Sequence, residues 1–156
     1  MFSNLLLRMP VRNLKFKPNS KYHVFNRRFL GYKLFGGVKD VEKFRRGILK
    51  YSERYKVRIV AYAIMDTHYH LLLMPVDGDS VSKFVCALQK SYAQYLNIKT
   101  KRIGQVFQGR YKAKVIDTPD YHRYIKKYIL KNPSDRVLEM YANDMTAVNL
   151  PEGWGS

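Results

Sequence analysis

Apolar and polar positions alternate, then recur at helical spacing, then alternate again along this chain. "KYHVFNRRF" (21–29) is aromatic, β-branched and alternating enough to predict a strand. "FLGYKLFGG" (29–37) reads as a loop or turn. Asp40 is placed to cap a helix through "VEKFRRGILKYSERY", where Phe44, Ile48, Tyr51 and Tyr55 recur at helical spacing. "KVRIVAYAIM" (56–65) and "THYHLLLMP" (67–75) predict two strands. Only Met65, Asp66 and Thr67 separate them, so they pair as a hairpin. After the turn "VDGDS", Ser80 is the expected cap of a second helix whose stripe is Val81, Phe84, Val85, Leu88, Tyr92 and Leu96. A basic loop, "KTKRIGQVFQGR", leads to a short strand, "YKAKVID" (111–117). Thr118 then caps a last helix, with Pro119 at its first position and Pro133 ending it after Asn132.

That order is strand, helix, strand, strand, helix, strand, helix. It predicts an α+β sandwich, an antiparallel sheet carrying helices on one face. Residues 1–20 are basic and broken by Pro10 and Pro18, and read as an arm. The domain then spans 21–136, and 137–156 is a tail.

Charge changes the picture most. The chain has 156 residues, 46% of them hydrophobic, which suits one globular domain. It carries 29 Lys and Arg against 12 Asp and Glu, a formal net charge of +17. An excess that large points to a polyanionic partner, nucleic acid ahead of an anionic membrane surface. Cys86 is the only cysteine, which excludes a disulfide framework or a cysteine zinc site and suits a reducing cytosol. The apolar runs fall far short of a membrane span, and "MFSNLLLRMP" lacks a signal-peptide layout, so a membrane partner is not expected.

"MDTHYHLLLM" holds the candidate chemistry. On a strand, His68 and His70 share a face and Tyr69 points to the other. Two imidazoles on one face can share a metal ion, yet an isolated His-x-His also describes two hydrogen-bonded histidines near a strand end. Without cysteines or a third obvious histidine, oxygen ligands and Mg2+ or Mn2+ suit the pair better than zinc. In "YHRYIKKYILKNP", Tyr128 and Asn132 lie four apart, one turn from each other on the last helix. The first is a candidate nucleophile and the second offers a carbonyl oxygen, though a tyrosine at helical spacing also suits a core and Asn before Pro a helix stop. The basic loop carries Lys99, Lys101, Arg102, Arg110, Lys112 and Lys114, with Phe107 and Tyr111 between them, and Arg27 and Arg28 add to it. Such charges track a phosphate backbone while rings stack on unpaired bases.

"AYAIMDTHYHLLL", "SYAQYLN", "GQVFQGRYKAKVID" and "YIKKYILKNP" together resemble the single-tyrosine HUH transposases (IS200-like), most of all the branch associated with repetitive extragenic palindromes (REP). The resemblance runs from about Tyr22 to about Pro133. It implies a ferredoxin-like sandwich, with His68, His70 and Asn132 as ligands of Mg2+ or Mn2+ and Tyr128 as nucleophile. Tyr124 is the fallback nucleophile, because "RYIKKYI" repeats the pattern. Phe107 stands where the family often has Trp, and Asp66 and Thr67 also depart from the usual residues before the histidines. The implied activity is nicking and joining of single-stranded or hairpin DNA by transesterification through a 5′-phosphotyrosine. The implied partners are DNA and, in a dimer, a second copy, since relatives include monomers and dimers; the setting is a prokaryotic cytoplasm at the nucleoid. Arg27, Arg28, Lys101, Arg102, Phe107, Arg110, Tyr111 and Lys112 are the expected DNA-contacting residues. A catalytically inactive DNA-binding module of the same fold is the other reading. A phosphoesterase using histidines as acid and base would need a second matching pair, and His23 and His122 are not spaced as one.

Overall fold

The structure is a computed structural model that describes residues 14–120 together with His122, Arg123 and Lys127. Most of the last helix and the C-terminal tail, with Tyr124, Tyr128 and Asn132, and the first thirteen residues of the arm lie outside the described residues.

Four strands and two helices follow the predicted order. They are β1 (Lys21–Arg27), α1 (Val38–Arg54), β2 (Val57–Ile64), β3 (His68–Pro75), α2 (Ser80–Thr100) and β4 (Lys112–Ile116). A short 3-10 turn, Phe29–Gly31, follows β1. The sheet order is β2-β3-β1-β4, and every neighbouring pair is antiparallel. This is the split βαβ arrangement of a ferredoxin-like sandwich. Beyond β4, Pro119, Asp120, His122, Arg123 and Lys127 are helical, and the His122 N–H donates to the Thr118 carbonyl at 3.0 Å, so the last helix starts where the sequence places it.

Alternation along each strand sorts the sheet into two faces. Tyr22, Val24, Tyr69, Leu71 and Leu73 join Phe44 and Ile48 of α1 and the whole α2 stripe, Val81 to Leu96, in the main core. The opposite face gathers Val60, Ala61, Ala63, Leu72 and Ile116 in a smaller cluster. Val60 and Ala61 both reach that face because the β2–β3 register shifts between Ile59 and Ala61, a bulge. The two helices approach closely at Gly47, where a Cβ would stand 2.9 Å from Leu88 Cδ1. The described part of the arm also packs: Leu14 and Phe16 lie against the core, and the Phe16 ring meets Tyr22 edge-on at 4.7 Å.

Two capping expectations are corrected. Helix α1 begins at Val38, which puts Asp40 inside the first turn. Its carboxylate is buried and accepts from Gly36 N (2.8 Å), Tyr95 Oη (2.8 Å) and Lys99 Nζ (2.6 Å). Asp40 therefore ties α1 to α2 instead of capping a free end. Ser80 is the first helical residue, not the cap, and its hydroxyl donates to the Asp77 carbonyl. Burial alone would raise the Asp40 carboxyl. The Lys99 ammonium, the Gly36 N–H and the Tyr95 hydroxyl outweigh it and hold the group below the usual carboxylate range. Its contribution is then complete above about pH 4 and is lost as pH falls through the native value. Asp40→Ala leaves three donors without their acceptor and is expected to cost about 2–3 kcal/mol in urea unfolding at pH 7, with Asp40→Asn costing less.

Candidate active site

The site is built on the sheet face away from α1 and α2. At the end of β2 the chain turns through Met65, Asp66 and Thr67, closed by Met65 N donating to the His68 carbonyl at 2.8 Å. The segment after β1 braces this turn from outside. Arg28 N donates to the Thr67 carbonyl, and Leu34 N and Phe35 N both donate to the Asp66 carbonyl. The turn therefore cannot shift without breaking three backbone bonds.

Alternation then separates the three residues of "HYH". Tyr69 points into the main core, fully buried, and its hydroxyl donates to Gln89 Oε1 at 2.6 Å. Asn26 donates to the same oxygen at 2.9 Å, which pins β1 and β3 together on α2. His68 and His70 point to the other face, with ring centroids 5.1 Å apart and planes 88° apart. His68 Nδ1 lies 3.0 Å from the Thr67 hydroxyl. His70 Nδ1 lies 2.9 Å from Nε2 of His23 on the neighbouring strand.

Electrostatics keep these rings neutral. Burial pushes His70 down to about 3, helped by His23 and His68. Burial, with the Lys114 ammonium, pushes His23 down to about 4. Burial and the Arg27 guanidinium lower His68 as well. At pH 7 the rings hold lone pairs, the form in which imidazole ligates a metal. With each Nδ1 engaged inside the fold, the pair suits ligation through Nε2, so the donor chemistry fits a divalent ion. Among the described residues no group of three or more His, Cys, Asp or Glu side chains is placed to hold one, so a third protein ligand would come from elsewhere.

Cations flank the imidazoles. Arg27 is the Cα partner of His68 across β1–β3. On β4, Lys112 and Lys114 pair with Phe25 and His23, the β1 residues whose rings stack beside His70. The basic loop reaches the same end of the sheet through the Arg28–Phe107 bridge and the Gln108 N–H to Arg27 carbonyl bond. Arg27 also bonds Gln108 through its side chain.

The expected DNA-contacting residues divide. Arg27 and Lys112 lie on the imidazole face, and Lys101, Arg102 and Arg110 are exposed on the loop. Arg28 is buried, at 5% exposure. The rings expected to stack on bases, Phe107 and Tyr111, are buried in the main core. Phe107 stands edge-on to Tyr69, and the Tyr111 hydroxyl meets Ser82 at 2.8 Å. Charged neighbours in sequence disguised two core residues. An aromatic that is exposed nearby is Tyr32, 52% exposed, with the Arg102 guanidinium 5.3 Å over its ring. Sequence spacing also gave no sign of His23, since its contact to His70 arises only from the β1–β3 register.

Residues 16–132 match the IS200-like transposase family. The chain belongs to that family. IS200-like transposases are DNA-transposing enzymes, and the +17 charge suits a DNA partner. Among curated proteins, none matches this sequence. The fold is similar to that of a REP-associated tyrosine transposase solved bound to a REP hairpin, at 21% identity and a TM-score of 0.62, covering 78% of this chain and 70% of that one. It is also similar to a proposed transposase from Deinococcus radiodurans R1, at 15% identity and a TM-score of 0.54, covering 77% of this chain and 95% of that one. At these identities the two structures speak for the fold of this IS200-like transposase. No helix among its described residues is long and apolar enough to cross a membrane.

Proposed function

We propose that this IS200-like transposase nicks and rejoins single-stranded or hairpin DNA by transesterification, with Tyr128 as the nucleophile. The observation that carries this reading is the pair of neutral imidazoles, His68 and His70, sharing one sheet face with Arg27, Lys112 and Lys114. Cations there would guide a phosphodiester across the imidazoles. Hairpin DNA is taken as the substrate class because the REP-associated relative was captured on one.

The chemistry balances without an energy source. The Tyr128 oxygen attacks phosphorus as its proton leaves to solvent, an O–P bond forms, and the P–O3′ bond breaks. The 3′-oxygen takes a proton, leaving a 5′-phosphotyrosine and a 3′-hydroxyl. A second 3′-hydroxyl can reverse the step, because the bond energy stays in the adduct. His68, His70 and Asn132 are the proposed holders of Mg2+ or Mn2+, which when bound would offset charge on the phosphate oxygens. The chain's own residues bind and orient: Arg27, Lys112 and Lys114 hold the backbone, and Arg102 over Tyr32 offers a stacking surface to an unpaired base.

Incubation with end-labelled hairpin DNA carrying single-stranded flanks, in Mn2+, followed by denaturing electrophoresis, is expected to show a covalent protein–DNA band that does not form when chelator replaces the metal. Tight binding with no such band would make the chain an inactive DNA-binding module.

A further inference from the structure

His23 belongs to none of the motifs that carry the proposed chemistry, yet it is the best-placed partner of that chemistry in the sheet. It is 7% exposed, and its ring packs against those of Phe25 (4.8 Å) and His70 (5.1 Å), which are themselves 5.7 Å apart. Its Nε2 stands 2.9 Å from His70 Nδ1, and its own Nδ1 has no hydrogen-bond partner among the described residues. Burying an imidazole with one nitrogen unsatisfied is unfavourable, and an apolar ring would fill this place beside Phe25 at lower cost. The polar atom facing His70 is what distinguishes histidine at this position.

One proton lies between the two rings, and its position has two consequences. If His23 donates, His70 carries its own proton on Nε2 and has no lone pair there. If His70 donates from Nδ1, its Nε2 carries the lone pair. We propose that His23 is a positioning residue: its Nε2 accepts the His70 Nδ1–H, which fixes both the tautomer and the orientation in which His70 can ligate a divalent ion. This rests on the reading of His70 as a ligand. Thr67 stands in the same relation to His68, but a hydroxyl rotates and can donate as well as accept. The His23 ring is buried against Phe25, so the acceptor it offers His70 is more rigidly set than the Thr67 hydroxyl. Partners of this kind typically alter metal affinity about 10–100-fold when removed.

Two variants separate this role from packing. His23→Phe keeps a ring against Phe25 and His70 and deletes the acceptor. His23→Gln keeps an oxygen able to accept the His70 proton. Mn2+ titration of the full chain without DNA, followed by calorimetry, is expected to show about 10–100-fold weaker binding in His23→Phe and substantial recovery in His23→Gln. Side-chain 15N NMR of the metal-free protein is expected to find His70 as the Nδ1–H tautomer in the wild type, shifting towards Nε2–H in His23→Phe. Hairpin affinity in chelator, unchanged in both variants, reports an intact fold. Wild-type Mn2+ affinity in His23→Phe, equal losses in both variants, or an Nε2–H His70 in the wild type would each overturn the proposal. Wild-type protein with the Nδ1–H tautomer but no affinity for Mn2+ would instead overturn the metal reading beneath it, and the positioning role with it.

Discussion

Tyr128→Phe is expected to abolish the covalent protein–DNA adduct while hairpin binding stays at the wild-type level. The substitution removes one oxygen and keeps the ring, so any structural place the side chain holds is preserved. Without the phenol no O–P bond can form, and the yield should fall by about 10^3-fold or more. The described tyrosines near the site make poor substitutes. Tyr69 points to the opposite face of the sheet with its hydroxyl on Gln89, and burial pushes its phenol well above the usual range. Tyr111 is committed to Ser82 and Tyr92 to the Leu34 carbonyl, and burial raises both. Tyr95 serves Asp40 and is pushed up to about 12, by burial first and then by that carboxylate. With these four committed elsewhere, the proposed nucleophile comes from the segment after β4, where Tyr128 is the candidate and Tyr124 the alternative. Tyr124→Phe is expected to keep the adduct. The reverse outcome, adduct lost in Tyr124→Phe and kept in Tyr128→Phe, would transfer the role.

The fold was legible because its signals are local. The six residues read as one stripe, from Val81 to Leu96, are all buried on α2. Three residues between two alternating runs could only make a hairpin, and the β2–β3 pairing has that form. The split of His68 and His70 from Tyr69 also followed from strand period alone. What escaped depends on partners far away in sequence. Asp40 has the composition of a cap, but Tyr95 and Lys99 are 55 and 59 residues away, and they recruit it as a tie between helices. Phe107 and Tyr111 sit among cations, which suggests a surface. The Arg28–Phe107 bridge and the β1–β4 pairing carry both rings into the core instead. His23 is the instructive miss: 47 residues separate it from His70, and only the register that sets Phe25 opposite His70 brings the two rings together. A reader of sequence could have asked which face of the first strand a lone histidine shares. No spacing rule supplies the strand order that answers it. Tyr128 and Asn132 remain readings from motif and helical spacing, outside the described residues.

His68→Ala should separate metal-assisted cleavage from DNA binding. His68 is only half-buried, and the one hydrogen bond described for its side chain goes to the neighbouring Thr67 hydroxyl, so truncation opens little core. His70→Ala is the poorer test, because it would remove the partner of a buried His23 and leave a cavity beside the Leu72 cluster. Burial and Arg27 hold His68 below its ordinary value, so at pH 7.5 the ring is neutral and its loss subtracts no cation from the DNA face. Hairpin affinity measured in chelator should then stay within about twofold, since backbone contacts carry it. Cleavage in Mn2+ draws on the imidazole as a ligand. Losing the charge relief that a bound ion gives the phosphate is worth about 4 kcal/mol, a fall of about 10^3-fold. Raising Mn2+ should recover part of that loss, because the remaining ligands bind more weakly rather than not at all. Parallel losses of affinity and cleavage, together with a lowered melting temperature, would assign His68 to the architecture of the start of β3 and remove it from the chemistry.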